Sequence, residues 1–254
     1  MTDLLATHLL YYDDAYQREF SATVTAVEGR DGATRVALDR TAFYPGGGGQ
    51  PNDQGTLTVN GERYAVTQVK KEGAQVWHTL DRAAPSIQVG DSAAGAIDWA
   101  RRYLLMRTHT AMHILCGVVW RDYEASVTGG NMDPGKGRMD FEFASLTRDL
   151  IGEIEAKCNA EVAAARPIRT QILPREEAFQ IPDLIRTKIN LLPAGITEVR
   201  TVELVGLDLQ ADGGTHVANT REVGTIKVAD YKSKGAINKR IYIELTEELV
   251  EPTA

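Results

Sequence analysis

Two short stretches of the chain hold residues whose types and spacing can do chemistry: RTHTAMH at 107–113 and DGGTH at 212–216. The first puts His109 and His113 four positions apart. On a helix that spacing is one turn along one face, so both rings can converge on one ion. The second sets Asp212 and His216 at the same spacing around Gly213 and Gly214, residues that let a backbone turn tightly or approach a ligand closely. Imidazole nitrogen and carboxylate oxygen bind zinc at about 2.0–2.2 Å, and a catalytic zinc keeps one position for water. The spacing therefore points to a hydrolytic centre with His109, His113, Asp212 and His216 as possible ligands to one zinc ion. The bland alternatives are two hydrogen-bonded histidines on a partly buried helix, and a β-turn that uses a turn-favouring Asp. A zincin H-E-x-x-H is absent, because Thr110 stands where its glutamate would be.

Other reactive groups are sparse. No serine or cysteine is placed with a triad partner, which disfavours a covalent route. Cys116 follows His109 by seven residues on the same helical face and reads as a small core residue a turn below the site. Cys116 and Cys158 form no disulfide framework, and two free thiols fit a reducing compartment. The run FYPGGGGQPNDQG at 43–55 is neither a Walker P-loop nor G-x-G-x-x-G. Its glycines fit a hairpin turn, or a loop whose N–H groups meet a substrate.

The elements that must position these residues fall into two parts. Residues 18–80 alternate apolar and polar positions between turn signals, which predicts a small antiparallel barrel or sandwich. Residues 81–98, with Pro85, Gly90 and Gly95, have the composition of a connection, and the boundary is placed there: a β-barrel domain over 1–92 and an α+β domain over 93–254. From Asp98 the period becomes helical through Tyr123, with Leu105, Met112, Leu115 and Val119 as core residues. A glycine-rich bend over 128–137 leads to a strand at 138–143. A second helix, capped by Ser145 and stopped by Pro167, presents Leu150, Ile151, Ile154 and Cys158 to the core. Strands are predicted near 168–173, 198–205, 223–228 and 240–245, with a weaker third helix over 176–185. No apolar run reaches the roughly 20 residues of a membrane helix and no signal peptide is evident, so the expected location is cytoplasmic. A net charge of −7 argues against indiscriminate nucleic-acid binding. Basic residues nevertheless bunch beside both histidine stretches: Arg101, Arg102 and Arg107, then Lys227, Lys232, Lys234, Lys239 and Arg240. About half of such residues are expected on solvated faces and half near RNA phosphates.

Taken in order, RRYLLMRTHTAMHIL, GRMDF, LDLQADGGTHVANTREVGTIKV and KSKGAINKRIYIEL resemble the successive motifs of the alanyl-tRNA synthetase editing domain and its freestanding AlaX relatives, in the medium-length form, and the upstream DRTAFYPGGGGQPNDQG and VGDSAAGAIDWARR are similar to the preceding domain of the same family. The resemblance implies a trans-editing hydrolase. Its substrate would be mischarged alanine tRNA, whose seryl ester, and in some members glycyl ester, is cleaved. Membranes and DNA are not expected partners. It matches His109, His113 and His216 to metal-binding positions, turns Thr41 towards the amino acid and places Gln50 near the site. Gln210 and Thr215 are expected to position water or substrate. Gly47, Gly48, Gly49, Gly213, Gly214, Arg107 and Lys234 are expected to meet substrate or RNA.

The chain departs from the family at Asp212, where cysteine is usual. A carboxylate is a harder ligand than a thiolate. Asp212 is expected within the metal site, binding the ion or a water on it. Two other readings stay open: a tRNA-binding module that kept the fold without the metal, and a metal-dependent hydrolase of another aminoacyl ester.

Overall fold

The structure is a computed structural model that describes residues 6–30, 32–186, 192 and 195–246. The chain forms two compact units, Met1–Leu104 and Leu105–Ala254, and the fold is α+β.

The first unit runs β1 (His8–Leu9), α1 (Leu10–Asp13), β2 (Glu19–Arg30), β3 (Ala33–Leu38), β4 (Arg40–Thr41), β5 (Gly55–Val59), β6 (Glu62–Glu72), β7 (Gln75–Leu80) and β8 (Ser92–Ile97). Six of these strands close an antiparallel barrel in the order β2-β3-β7-β6-β5-β8. Alternation does the sorting: Val24, Val36, Leu38, Leu57, Val59, Val66 and Leu80 turn into one apolar core with Phe20 and Phe43. The connecting composition of 81–98 hides a strand. β8 pairs with both β2 and β5 and so completes the closure. Its sequence SAAGAI is weak in strand formers because the barrel needs room there: a Cβ on Gly95 would sit 2.3 Å from the Phe20 ring.

In the second unit the elements are α2 (Trp99–Tyr123), β9 (Val127–Asp133), β10 (Lys136–Glu142), α3 (Arg148–Ala163), β11 (Ile168–Pro174), α4 (Arg175–Ala178), β12 (Glu198–Leu204), β13 (Asp208–Ala211), a 3₁₀ turn (Thr220–Val223), β14 (Ile226–Ser233) and β15 (Asn238–Leu245). The residues of α2 up to Leu104 count with the first unit. The sheets are β14-β15-β10-β9 and β11-β12-β13. α2 is buried on every side from Leu105 to Val119, including Leu105, Met112, Leu115 and Val119. Such burial marks a helix in the middle of a core.

Several local expectations need correction. The glycine-rich stretch 128–137 is not a bend but most of the β9–β10 hairpin. Cβ atoms on Gly130 and Gly137 would lie 3.2 and 3.0 Å from Met112, so these glycines serve the seating of α2 on the sheet rather than a turn. α3 is capped by Thr147, whose side chain accepts from Leu150 N, and not by Ser145. Ile151, Ile154 and Cys158 are buried on α3, while Leu150 is half-buried. The third helix shrinks to the single turn of α4, because Pro182 and the left-handed Asp183 (φ 56°) follow closely. The strand expected at 223–228 begins at Ile226, after the 3₁₀ turn capped by Asn219 and Glu222.

Candidate metal centre

His109 and His113 lie one turn apart on α2, and Asp212 and His216 lie on the loop that leaves β13. One ligand atom from each of the four falls within 4.8 Å of all the others. The rings touch one another, with His109 stacked on His216 at 4.3 Å and His113 edge-on to His216 at 4.7 Å. Asp212 Oδ1 is 3.6 Å from His109 Nε2, and Oδ2 is 3.0 Å from His216 Nε2.

The turn reading and the ligand reading of Asp212 coexist. Its Oδ2 accepts from Gly214 N at 2.8 Å, which makes 212–214 an Asx turn and fixes the carboxylate. Arg200 on β12 steadies the same loop, donating through Nη1 to the carbonyls of Asp212 and Gly214 at 3.1 and 2.9 Å. Neither Gly213 nor Gly214 uses a left-handed φ. Thr215 is fully buried next to His216 in the chain.

Behind the rings stand partners of their own. His113 Nδ1 is 2.9 Å from Asp208 Oδ2, and His216 Nδ1 is 3.1 Å from Thr110 Oγ1. Both rings therefore have Nδ1 engaged. Burial holds His109 well below the usual imidazole value, against the pull of Asp212. Burial likewise pushes His216 down to about 4, against its bond to Asp212. On His113 burial acts in the same direction, but the bond and charge of Asp208 outweigh it and the value is raised. Burial opposes the charge of Asp212 as well, yet the facing His109, His216 and His113 hold its carboxyl well below the usual range. Two neutral imidazoles, a third steered by a carboxylate and an ionised aspartate form a donor set that fits zinc. The thiol of Cys116 is buried and pushed well above its ordinary value by that burial, which makes it a poor ligand and a good packing residue.

The other residues singled out by sequence are placed as follows. Thr41 is fully buried in the first unit; its Oγ1 is 2.9 Å from His78 Nε2 and accepts from Phe43 N at 3.1 Å. Gly47 and Gln50 exchange N–H···O bonds of 3.0 and 2.9 Å, and Gly48 and Gly49 between them have φ of 57° and 90°. That is a hairpin turn needing positive φ twice, which two glycines supply without strain. Gln50 is buried. Gln210 turns its amide to the back of His113: Nε2 donates to Asp208 Oδ2 at 2.7 Å and to Cys116 Sγ at 3.3 Å. Arg107, expected near RNA, is buried, with Nε and Nη2 donating to the Val223 carbonyl at 3.2 and 3.0 Å. Its guanidinium thus anchors the interior of the second unit. Lys234 is exposed beyond the end of β14.

Sequence reasoning missed Asp208, Arg200 and Gly117. Asp208 and Arg200 sit in strands with ordinary alternation, and nothing in spacing connects them to the histidines. A Cβ on Gly117 would lie 2.8 Å from Leu207 Cγ and 3.1 Å from Asp208 Cβ, so a bare helix surface is what lets Asp208 reach α2.

An α+β fold holding a buried cluster of three histidines and one aspartate defines a candidate metal-binding protein. The first unit matches the family model described as class II (A) tRNA synthetases over residues 7–101, and the model for the threonyl and alanyl tRNA synthetase second additional domain matches residues 199–242. The chain is 40% identical over 238 residues to an alanyl-tRNA editing protein AlaX-M of Saccharolobus solfataricus, covering 93% of this chain and 98% of that protein. A protein of the same description from Methanosarcina acetivorans is 36% identical, covering 95% of this chain and all of its own length (100%). An alanine–tRNA ligase of Ignicoccus hospitalis is 38% identical, with 87% of this chain matching 24% of the ligase. The chain belongs to the AlaX-M family of alanyl-tRNA editing proteins.

Proposed function

We propose that this chain is a trans-editing hydrolase that cleaves the ester of mischarged alanine tRNA, with seryl-tRNA as its main substrate and glycyl-tRNA as a second. The observation that carries the metal-assisted reading is the convergence of His109, His113, Asp212 and His216, the histidines buried and the aspartate half-buried, with ligand atoms within 4.8 Å of one another. A zinc ion held there would supply a Lewis acid for the ester carbonyl and a water of lowered pKa.

The chain's own residues prepare that chemistry. Burial keeps His109 and His216 unprotonated and shields the cluster from bulk water. The Asx turn aims Oδ1 of Asp212 towards His109 while Oδ2 is occupied by Gly214 N. Backbone groups of Gly213 and Gly214 and the hydroxyl of Thr215 would contact the ester. Gln210 serves it indirectly, through Asp208 and His113.

Selectivity is assigned to the hydroxyl of Thr41. His78 Nδ1 is 3.2 Å from the Val36 carbonyl, so this nitrogen carries the ring proton and Nε2 accepts from Thr41. Burial lowers His78 to about 4 and keeps that ring neutral. Thr41 Oγ1 then donates a hydrogen bond to His78 Nε2, accepts one from Phe43 N, and keeps one lone pair suited to a seryl hydroxyl. Alanine has no hydroxyl to offer, and a site built for that bond disfavours an analogue lacking it; glycine lacks it too, so this bond ranks the seryl ester first and does not by itself separate glycyl from alanyl. Gln50 and the turn Gly47–Gly49 are assigned to the substrate, and Lys234 to phosphate.

The test is a deacylation panel of seryl-, glycyl- and alanyl-tRNA with zinc-loaded and chelator-treated protein. Turnover of the seryl ester that disappears with chelator and returns with zinc is expected, with alanyl-tRNA spared. No turnover of any ester by loaded protein would leave a tRNA-binding module. Turnover indifferent to chelator would remove the metal.

A further inference from the structure

Asp208 opens β13 and is buried to 3% exposure. Its Oδ2 accepts from Gln210 Nε2 at 2.7 Å and lies 2.9 Å from His113 Nδ1. Its Oδ1 has no hydrogen-bond partner among the described residues and lies 3.7 Å from Arg186 Nη2 in an ion pair. Arg186 is itself held over the Trp120 ring of α2 at 4.8 Å. A carboxylate accepts and does not donate, so the hydrogen between Oδ2 and His113 belongs to Nδ1. The lone pair of a neutral His113 is then confined to Nε2.

We infer that Asp208 is a positioning residue of the centre: it fixes the tautomer and ring orientation of His113 so that Nε2 is presented to a metal ion. This rests on the metal reading above but concerns a residue outside the ligand set. Gln210 and Gly117 act through it, the first by orienting the carboxylate and the second by leaving space for it against α2. Hydrogen bonds of this kind behind a ligating histidine are commonly worth about 10–100-fold in metal affinity.

The experiment uses the full chain, stripped of metal, in mildly alkaline buffer. Long-range proton–nitrogen correlation spectra read the tautomer of His113, and titration with zinc alone against a chromophoric chelator reads affinity. Wild type is expected to carry the proton on Nδ1. Asp208→Ala should populate the other tautomer and lose about tenfold to a hundredfold in zinc affinity. Asp208→Asn, which keeps an acceptor without the charge and preserves the shape if the alanine variant does not fold, should hold the Nδ1 proton and fall between the two in affinity. His113 protonated on Nε2 in wild type would overturn the inference, as would affinities of both variants within about twofold of wild type, well short of the loss expected for such a partner. Wild type that shows the Nδ1 tautomer but takes up no zinc would strike the metal reading and leave Asp208 as the residue that sets His113.

Discussion

The carboxylate of Asp212 has two distinct oxygens. Oδ2 belongs to the turn, bonded to Gly214 N, while Oδ1 lies towards His109. Asp212→Ala should therefore lower zinc content well below wild type and loosen the 212–214 turn together; metal analysis of the purified variant checks the first effect, and unchanged occupancy would exclude a ligand role. Asp212→Cys restores the sulfur usual in the resembled family, and a softer thiolate should raise zinc affinity. A chelator competition that finds the cysteine variant weaker would mean that the turn outweighs ligand softness. Proton competition follows from the histidines. His113 has its value raised by Asp208 against burial, so its proton must leave before Nε2 can bind metal. Zinc affinity should fall as pH drops through that raised value, above the ordinary 6.5, with a slope of about one proton. His216, held near 4 by burial, adds competition only in much more acidic buffer. A slope of two or more near neutrality would contradict this assignment.

α2 carries two kinds of connection. Towards its start, Arg102 is fully buried and pairs with Asp53, Nε lying 3.0 Å from each carboxylate oxygen, while Nη1 and Nη2 donate to the carbonyls of Ala15 and Ala42. Asp53 in turn accepts from Tyr44 N, so the pair ties the glycine loop to the helix within the first unit. Removing one partner leaves an uncompensated buried charge, and Arg102→Ala should cost about 3–5 kcal/mol in urea unfolding. Further along, Gly117→Ala sets propensity against packing. Alanine is better in a helix by about 1 kcal/mol, but its Cβ would meet Leu207 Cγ at 2.8 Å and push Asp208 from His113. Lower zinc affinity with little change in helicity is expected; unchanged affinity would show that the β12–β13 turn gives way freely. These contacts mark where the sequence was legible. Period and alternation are local, so the barrel strands, α2 and the two pairs of candidate ligands could be read from spacing. Residues joined only by the fold could not: β8 looks like a linker because Phe20 needs its small residues, Gly130 and Gly137 look like a bend because Met112 needs theirs, and Asp208 is silent until Gly117 brings it to α2.

At the scale of the whole molecule the net charge of −7 opposes RNA, so binding of the proposed substrate must depend on few basic residues. The structure reduces their number. Arg102, Arg107 and Lys239 are buried, Arg240 is paired with Asp140 at 2.6 Å, and Lys232 with Asp230 at 3.0 Å. Arg101 is half-buried, its Nη2 donating to the Asn52 carbonyl at 3.3 Å, and Lys227 and Lys234, on β14 and just beyond it, are exposed with no ion pair among the described residues. Each phosphate neutralised contributes about 0.7–0.9 to the slope of log affinity against log salt. Two such contacts predict a shallow slope of about −1.4 to −1.8 for kcat/KM of seryl-tRNA deacylation, measured between low and physiological salt. Lys227→Ala and Lys234→Ala should each weaken binding and flatten the slope by slightly less than one, and the double variant should leave little dependence on salt. A steep slope that survives both substitutions would mean that other cations meet the RNA. The exposed basic residues of β14 would then be solvated like any others.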